Sequence, residues 1–231
     1  MLIDHSNQRV LEVLKNRENK TLRRWLRKAK RQGMLKELQE VTIDMWAGFQ
    51  QSVRAILGER VRVVADRFHV MSRFQHHLTA ARRQIQKSLS AEEREALKGS
   101  RWLWVTNDEN LSARERRRFS KLRQRFGVLK KLWLLRRRLR AIFEDRALTP
   151  ELARARLTEW CQRGRGLGLK ALAKFEKMLD QWMEPIVNYF VARSSNGRTE
   201  GFNHGLRTIL WRSCGMRNFT HFRLRVLHIY G

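Results

Sequence analysis

Residues 41 to 66 read VTIDMWAGFQQSVRAILGERVRVVAD, two short β-branched runs on either side of one amphipathic segment of helix length. Runs of Val, Ile and Thr fit the pleated surface of a strand, whereas WAGFQQSVRAIL carries its apolar residues at helical steps. The same alternation starts upstream, with RVLEVL (9–14) as a strand, TLRRWLRKAKRQG as a helix stopped by Gly33, and LQEVTID (38–44) as the next strand. Strand, helix, strand, helix, strand is the pattern of an α/β layer with parallel strands. From 69 to about 190 the texture becomes helical. Phe126, Leu129, Leu132 and Trp133, and then Leu169, Leu172, Phe175 and Leu179, recur at three- and four-residue steps. Ser112 and Glu115 in LSARERRRF have the spacing of a capping box, and the two prolines, Pro150 and Pro185, suit helix starts or breaks. No repeat and no low-complexity linker interrupts the chain, so the helical stretch is expected as an insertion or second lobe and not as a tethered module.

The charge narrows the partners. Lysine and arginine number 50 against 22 acids, a formal charge of +28 over 231 residues, with arginine supplying most of it. Guanidinium groups bind phosphate bidentately and each neutralised phosphate releases counterions, so a polyanion is the expected partner. No apolar run approaches the roughly 18 to 20 residues that span a bilayer, and MLIDHSNQRV lacks the basic start and apolar core of a signal peptide. Cys161 and Cys214 stand far apart without metal-ligand spacing, which suits a reducing cytoplasm and excludes a zinc or disulfide framework. The run RERRRFSKLRQRFGVLKKLWLLRRRLR (114–140) reads first as a solvated amphipathic face and second as a nonspecific phosphate surface. Trp102 and Trp104 in RWLWV read first as core and second as base-stacking groups.

Both strand candidates of the opening stretch end in an acid, Asp44 and Asp66. In parallel α/β sheets ligands bind beyond the carboxyl ends of the strands, where these two belong, although either could equally cap the helix that follows. His69 lies three residues after Asp66, a spacing that fits a metal pair or, more simply, a capping aspartate and a hydrogen-bonded histidine. Near the other end, SSNGRTEGFNHGLRTILWR (194–212) reads as a polar turn and then a helix from Thr199 to Trp211. Glu200 falls in its first turn, where a carboxylate favours the helix dipole. Glu200, Asn203 and Arg207 share one face, and Gly201 and Gly205 beside it leave room for a backbone or a nucleic acid.

VTIDMWAGF (41–49), VRVVADRFHVMSRF (61–74) and SSNGRTEGFNHGLRTILWRSCGMRNFTHFRLRVL (194–227), in this order and with a helical region between, resemble the DDE transposases of the ISL-three group of bacterial insertion sequences. The resemblance runs from about residue 3 to 227. It implies an RNase H-like α/β core interrupted by a large all-helical insertion: 1–68 as partial core, 69–190 as insertion, and 191–231 as the catalytic-glutamate helix and the end of the core. It implies that Asp44 is the second and Glu200 the third carboxylate of a catalytic triad holding two Mg2+ ions, with Asp66, His69 and Asn203 accessory and Arg198, Arg207 and Arg212 on DNA. It further implies a cytoplasmic bacterial protein that acts on element ends and target DNA, as a homo-oligomer on that DNA.

The sequence also departs from the family. Its first catalytic aspartate sits on the fold's first strand, whereas MLIDHSNQRVLEVL resembles the second and third strands with their turn, so Asp4 is expected to be a turn residue. Phe49 stands where tyrosine is common, and Gly58 where proline is usual. The expectation is therefore an amino-terminally truncated, catalytically inactive copy, or alternatively a non-enzymatic basic helical fragment that binds DNA or regulates the intact enzyme.

Overall fold

The first acid of the chain ends a strand and starts a turn. Strand β1 (Leu2–Asp4) pairs antiparallel with β2 (Arg9–Glu12), Ile3 opposite Val10 and Asp4 opposite Arg9. Asp4 Oδ1 accepts the backbone N–H groups of Ser6 and Asn7, each at 3.1 Å, and Oδ2 accepts the Asn7 amide at 2.7 Å. An aspartate that binds the amides two and three residues on is a turn-former, and these bonds hold its carboxyl below its ordinary pKa, the Asn7 side chain contributing most. A computed structural model supplies these coordinates; it describes all residues except Ser195 and Asn196, and the side chains of Arg198 and Glu200 also lie outside the described set.

Two compact units divide the chain, one made of Met1–Asp66 and Arg193–Gly231 and the other of Arg67–Ala192. In the first, helix α1 (Asn19–Arg31) leads to β3 (Glu40–Ile43), α2 (Ala47–Leu57) and β4 (Arg62–Ala65). β3 and β4 pair in parallel, Glu40 opposite Arg62 through Ile43 opposite Ala65, as the strand–helix–strand order requires. The expectation of one parallel layer fails for RVLEVL. Only four residues separate β1 from β2, too few for a crossover, so β2 joins an antiparallel hairpin and the described strands form two sheets of two. Gly58 ends α2 at φ +70°, a conformation closed to proline.

Helices α1 and α2 approach closely because the facing side chains are small. Gly48 and Ser52 are buried; Ser52 donates to the Gly48 carbonyl at 2.8 Å and accepts from Arg23 Nε at 3.2 Å. A Cβ on Gly48 would stand 2.4 Å from Asn19 Oδ1, so glycine is required there by packing. Later in the chain, α11 (Gly197–Arg212) and α12 (Phe219–Tyr230) return to this unit. Phe202, Leu206 and Ile209 of α11 and Phe222 and Val226 of α12 close a core over Ile3, Val10 and Val13. Arg223 forks onto Glu12, Nε to Oε1 at 2.5 Å and Nη2 to Oε2 at 2.7 Å, tying α12 to β2.

The second unit is helical throughout its described residues: α3 (Arg67–Lys87), α4 (Ala91–Ala96), α5 (Arg101–Val105), a 3-10 turn (Asp108–Asn110), α6 (Ala113–Arg125), α7 (Gly127–Glu144), α8 (Pro150–Arg165), α9 (Lys170–Gln181) and α10 (Met183–Ala192). Ser112 and Glu115 form the capping box read from their spacing, and Pro150 opens α8 under a Thr149 cap. Phe74, Trp160 and Phe175 meet in edge-on and tilted contacts at 5.0 to 5.6 Å in the centre of the unit. Trp104, Phe119 and Trp133 form a second aromatic row. Arg136, inside the basic run, is buried and donates to the Thr106 carbonyl at 3.2 Å and to Asn107 Oδ1 at 2.6 Å, so this arginine is structural. No helix among the described residues is long and apolar enough to cross a membrane.

Candidate active site and nucleic-acid interface

The parallel register sets the site. Ile43 and Ala65 are opposite one another, so the next residues, Asp44 and Asp66, leave adjacent strands at the same carboxyl edge; the Asp66 N–H donates to the Ile43 carbonyl at 3.2 Å. Their surroundings differ. Asp66 is 1% exposed, while the Asp44 side chain is 39% exposed and lies 3.6 Å from Arg17 Nη2. The N-cap position of α2 falls on Trp46, two residues past Asp44.

Arg17 was not singled out by the sequence, and no spacing rule could have found it, since it lies 27 residues before Asp44 in a turn. Its guanidinium also sits 5.7 Å from the Trp46 ring centroid and 5.8 Å from that of Phe49, the two rings being edge to face at 4.4 Å. Arg17 thus lies beside two aromatic rings with its charge next to Asp44, in a largely exposed pair.

Asp66 immediately precedes α3, and His69 stands in the first turn of that helix, half-buried. On α11 the backbone at Glu200 is helical, in agreement with the sequence, but its side chain and that of Arg198 fall outside the described residues. Asn203, Arg207 and Arg212 are exposed on α11, off the face that Phe202, Leu206 and Ile209 bury. Of the two occupants read for the space beside Gly205, a backbone or a nucleic acid, the structure supplies a neighbouring helix. A Cβ there would lie 2.3 Å from Tyr230 Oη, so the space belongs to α12, whereas Gly201 has nothing within 4 Å. Around the start of α11, the Thr199 hydroxyl is 3.3 Å from His5 Nε2, and the Ser194 hydroxyl donates to the Glu40 carboxylate at the opposite end of β3 from Asp44.

Two carboxylates at neighbouring strand ends are hard oxygen donors of the kind magnesium prefers. Among the described residues, however, no group of three or more His, Cys, Asp or Glu side chains could hold a metal. Asp44 and Asp66 place two carboxylates at one sheet edge.

A βαβ unit with acids at both strand ends, followed after a helical unit by a helix bearing a first-turn glutamate, belongs to a known class. A family model described as Transposase, that of the ISL-three DDE group, matches residues 1–226, and the chain belongs to this family. The transposase for insertion sequence element IS1001 of Bordetella parapertussis is 25% identical to it over 230 residues, 98% of this chain and 55% of that protein. The chain thus spans about half the length of this curated relative. No solved structure matches it.

Proposed function

We propose that the chain forms part of a DNA transposase that cleaves the ends of an insertion sequence and transfers them to target DNA. Asp44 and Glu200 are the carboxylates that hold divalent metal, magnesium in the bacterial cytoplasm, in an RNase H-like core interrupted by helices 69–190. The observation that carries this reading is the parallel β3–β4 register, which leaves Asp44 and Asp66 at one carboxyl edge in a chain of this family. When bound, a metal pair activates the attacking oxygen and stabilises the leaving one. The chain's own residues bind and orient. Arg17, beside Trp46 and Phe49, orients Asp44; Asp66, His69 and Asn203 stand at the periphery as accessory groups; Arg198, Arg207 and Arg212 contact the DNA, which homo-oligomers of the protein grip together.

The chain spans about half the length of its curated relative, and by itself it is proposed to bind DNA without cutting it. A net charge of +28 implies strong salt dependence of that binding. Titration of duplex DNA at rising salt tests the reading. The expected result is a steep linear fall of log affinity, shallower by about 1 to 2 contacts in the Arg207→Gln, Arg212→Gln double variant. An unchanged slope in that variant refutes the assignment of α11 to the DNA. Retained binding that Asp44→Asn leaves untouched, with no metal uptake by the unchanged chain, favours the regulatory alternative.

A further inference from the structure

The pair RWLWV splits in the folded protein. Trp104 is 3% exposed, its indole N–H bonded to Ser100 Oγ at 3.3 Å and its ring edge-on to Phe119 at 4.9 Å. Trp102, two residues earlier on the same short helix, is 66% exposed. An exposed indole contributes little to the fold and offers a flat face for stacking.

Its neighbours are cations. The Arg101 guanidinium lies 5.1 Å from the Trp102 ring centroid. Arg82 of α3 is half-buried, and its Nε is buried with no hydrogen-bond partner. Burial, then Arg101, then Arg83 hold Arg82 below the ordinary guanidinium pKa, which places Arg101 and Arg83 in its field. Among the described residues no carboxylate is ion-paired with Arg82, Arg83 or Arg101, whereas Arg125 pairs with Glu92 and Arg163 with Glu159 in the same unit. Arg82 thus carries a buried donor without a partner in the field of two further cations, one of which lies against the exposed Trp102 ring.

We propose that Trp102 with Arg82, Arg83 and Arg101 is a platform for an unpaired nucleotide, the base stacking on the indole and its phosphate lying on the arginines. One ligand class meets both needs: a nucleic-acid strand has a flat face and a negative charge at every residue, and stacking accepts any base. A blunt duplex presents its phosphates but hides its bases, so the platform discriminates between paired and unpaired strands. The inference rests on the transposase reading for the identity of the strand, which is DNA opened or cut near an element end.

The test uses the full chain, a labelled single strand and a blunt duplex of the same sequence. Trp102→Ala is expected to weaken single-strand binding about tenfold, the loss typical of one stacking platform, and to leave duplex binding within about twofold. Trp102→Phe, which keeps a stacking face and controls for folding, recovers most of the loss. Arg82→Gln with Arg101→Gln weakens single-strand binding and lowers its salt slope by about 1 to 2 contacts. Equal single-strand binding by Trp102→Ala and the unchanged chain overturns the proposal, as does an equal loss on both DNAs. Duplex binding that survives in either case leaves the transposase reading standing; failure of the unchanged chain to bind any DNA overturns both.

Discussion

Glu176 is the place where the structure makes its sharpest energetic prediction. It is 4% exposed on α9, its Oε2 accepts from Arg165 Nε at 3.1 Å, and its Oε1 has no hydrogen-bond partner. Gly164 makes the seat: a Cβ there would be 2.6 Å from Oε1, and nothing polar replaces it. Burial raises the carboxyl above its ordinary pKa, against the lowering pull of Arg165. The same carboxylate contributes, after burial, to pushing the nearby Cys161 thiol up to about 12, so that cysteine is an inert packing group. One unsatisfied buried carboxylate oxygen costs about 1 to 3 kcal/mol. Against this stands one bond from Arg165, whose side chain is 62% exposed, so the pair itself is worth at most about 1 kcal/mol.

The cost exceeds the gain, and Glu176→Met, which keeps length without charge, is expected to be neutral or to stabilise the fold by about 1 to 2 kcal/mol at pH 7. The sign with pH follows from the raised value. Between the ordinary carboxylate pKa and the folded one, the folded state holds a proton that the unfolded state has released. Wild-type stability therefore falls as pH rises through that window, and the advantage of Glu176→Met grows over it. Urea unfolding of both proteins at pH 4 and pH 7 measures this. A loss of 1 kcal/mol or more in Glu176→Met at pH 7, or an advantage that shrinks with rising pH, refutes the reasoning.

Gly48→Ala should destabilise the protein by about 1 to 2 kcal/mol, because overpacking against Asn19 outweighs the gain of up to about 1 kcal/mol in helix propensity; the added Asn19→Ala change should recover most of it in thermal melts. Arg223→Ala leaves the Glu12 carboxylate, 13% exposed, with a single backbone donor from Val13, and should cost about 2 kcal/mol by urea unfolding. Arg223→Lys should recover less than half, since an ammonium reproduces no fork.

Much of this was legible in the residues, and the reasons are local. The capping box at Ser112 and Glu115, the helix start at Pro150 and the strand ends at Asp44 and Asp66 each depend on neighbours within a few positions, so spacing alone reports them. Asp4 as a turn residue likewise depends on Ser6 and Asn7. What escaped depends on distant partners. RVLEVL has the composition of any strand, and its composition alone places it in a parallel layer, whereas the family resemblance has it as one of two strands joined by a turn. Gly205 is a packing glycine because Tyr230, 25 residues on, fills its place. Arg17 meets Asp44 across two intervening elements, and Trp102 and Trp104 carry identical local signals yet part into surface and core. The resemblance to the transposase family singled out Asp44 and Glu200, which periodicity alone leaves as a strand-end acid and a first-turn acid.

The central claim is the proposal that Asp44 and Glu200 hold the metal and that this chain, about half the length of its curated relative, binds DNA without cutting it on its own. Purified chain incubated with Mg2+ or Mn2+ and DNA carrying the element's ends tests it most directly, with the Asp44→Asn variant as the baseline. The account predicts DNA binding by both and no strand cleavage above the baseline; cleavage by the unchanged chain well above that of Asp44→Asn would contradict it.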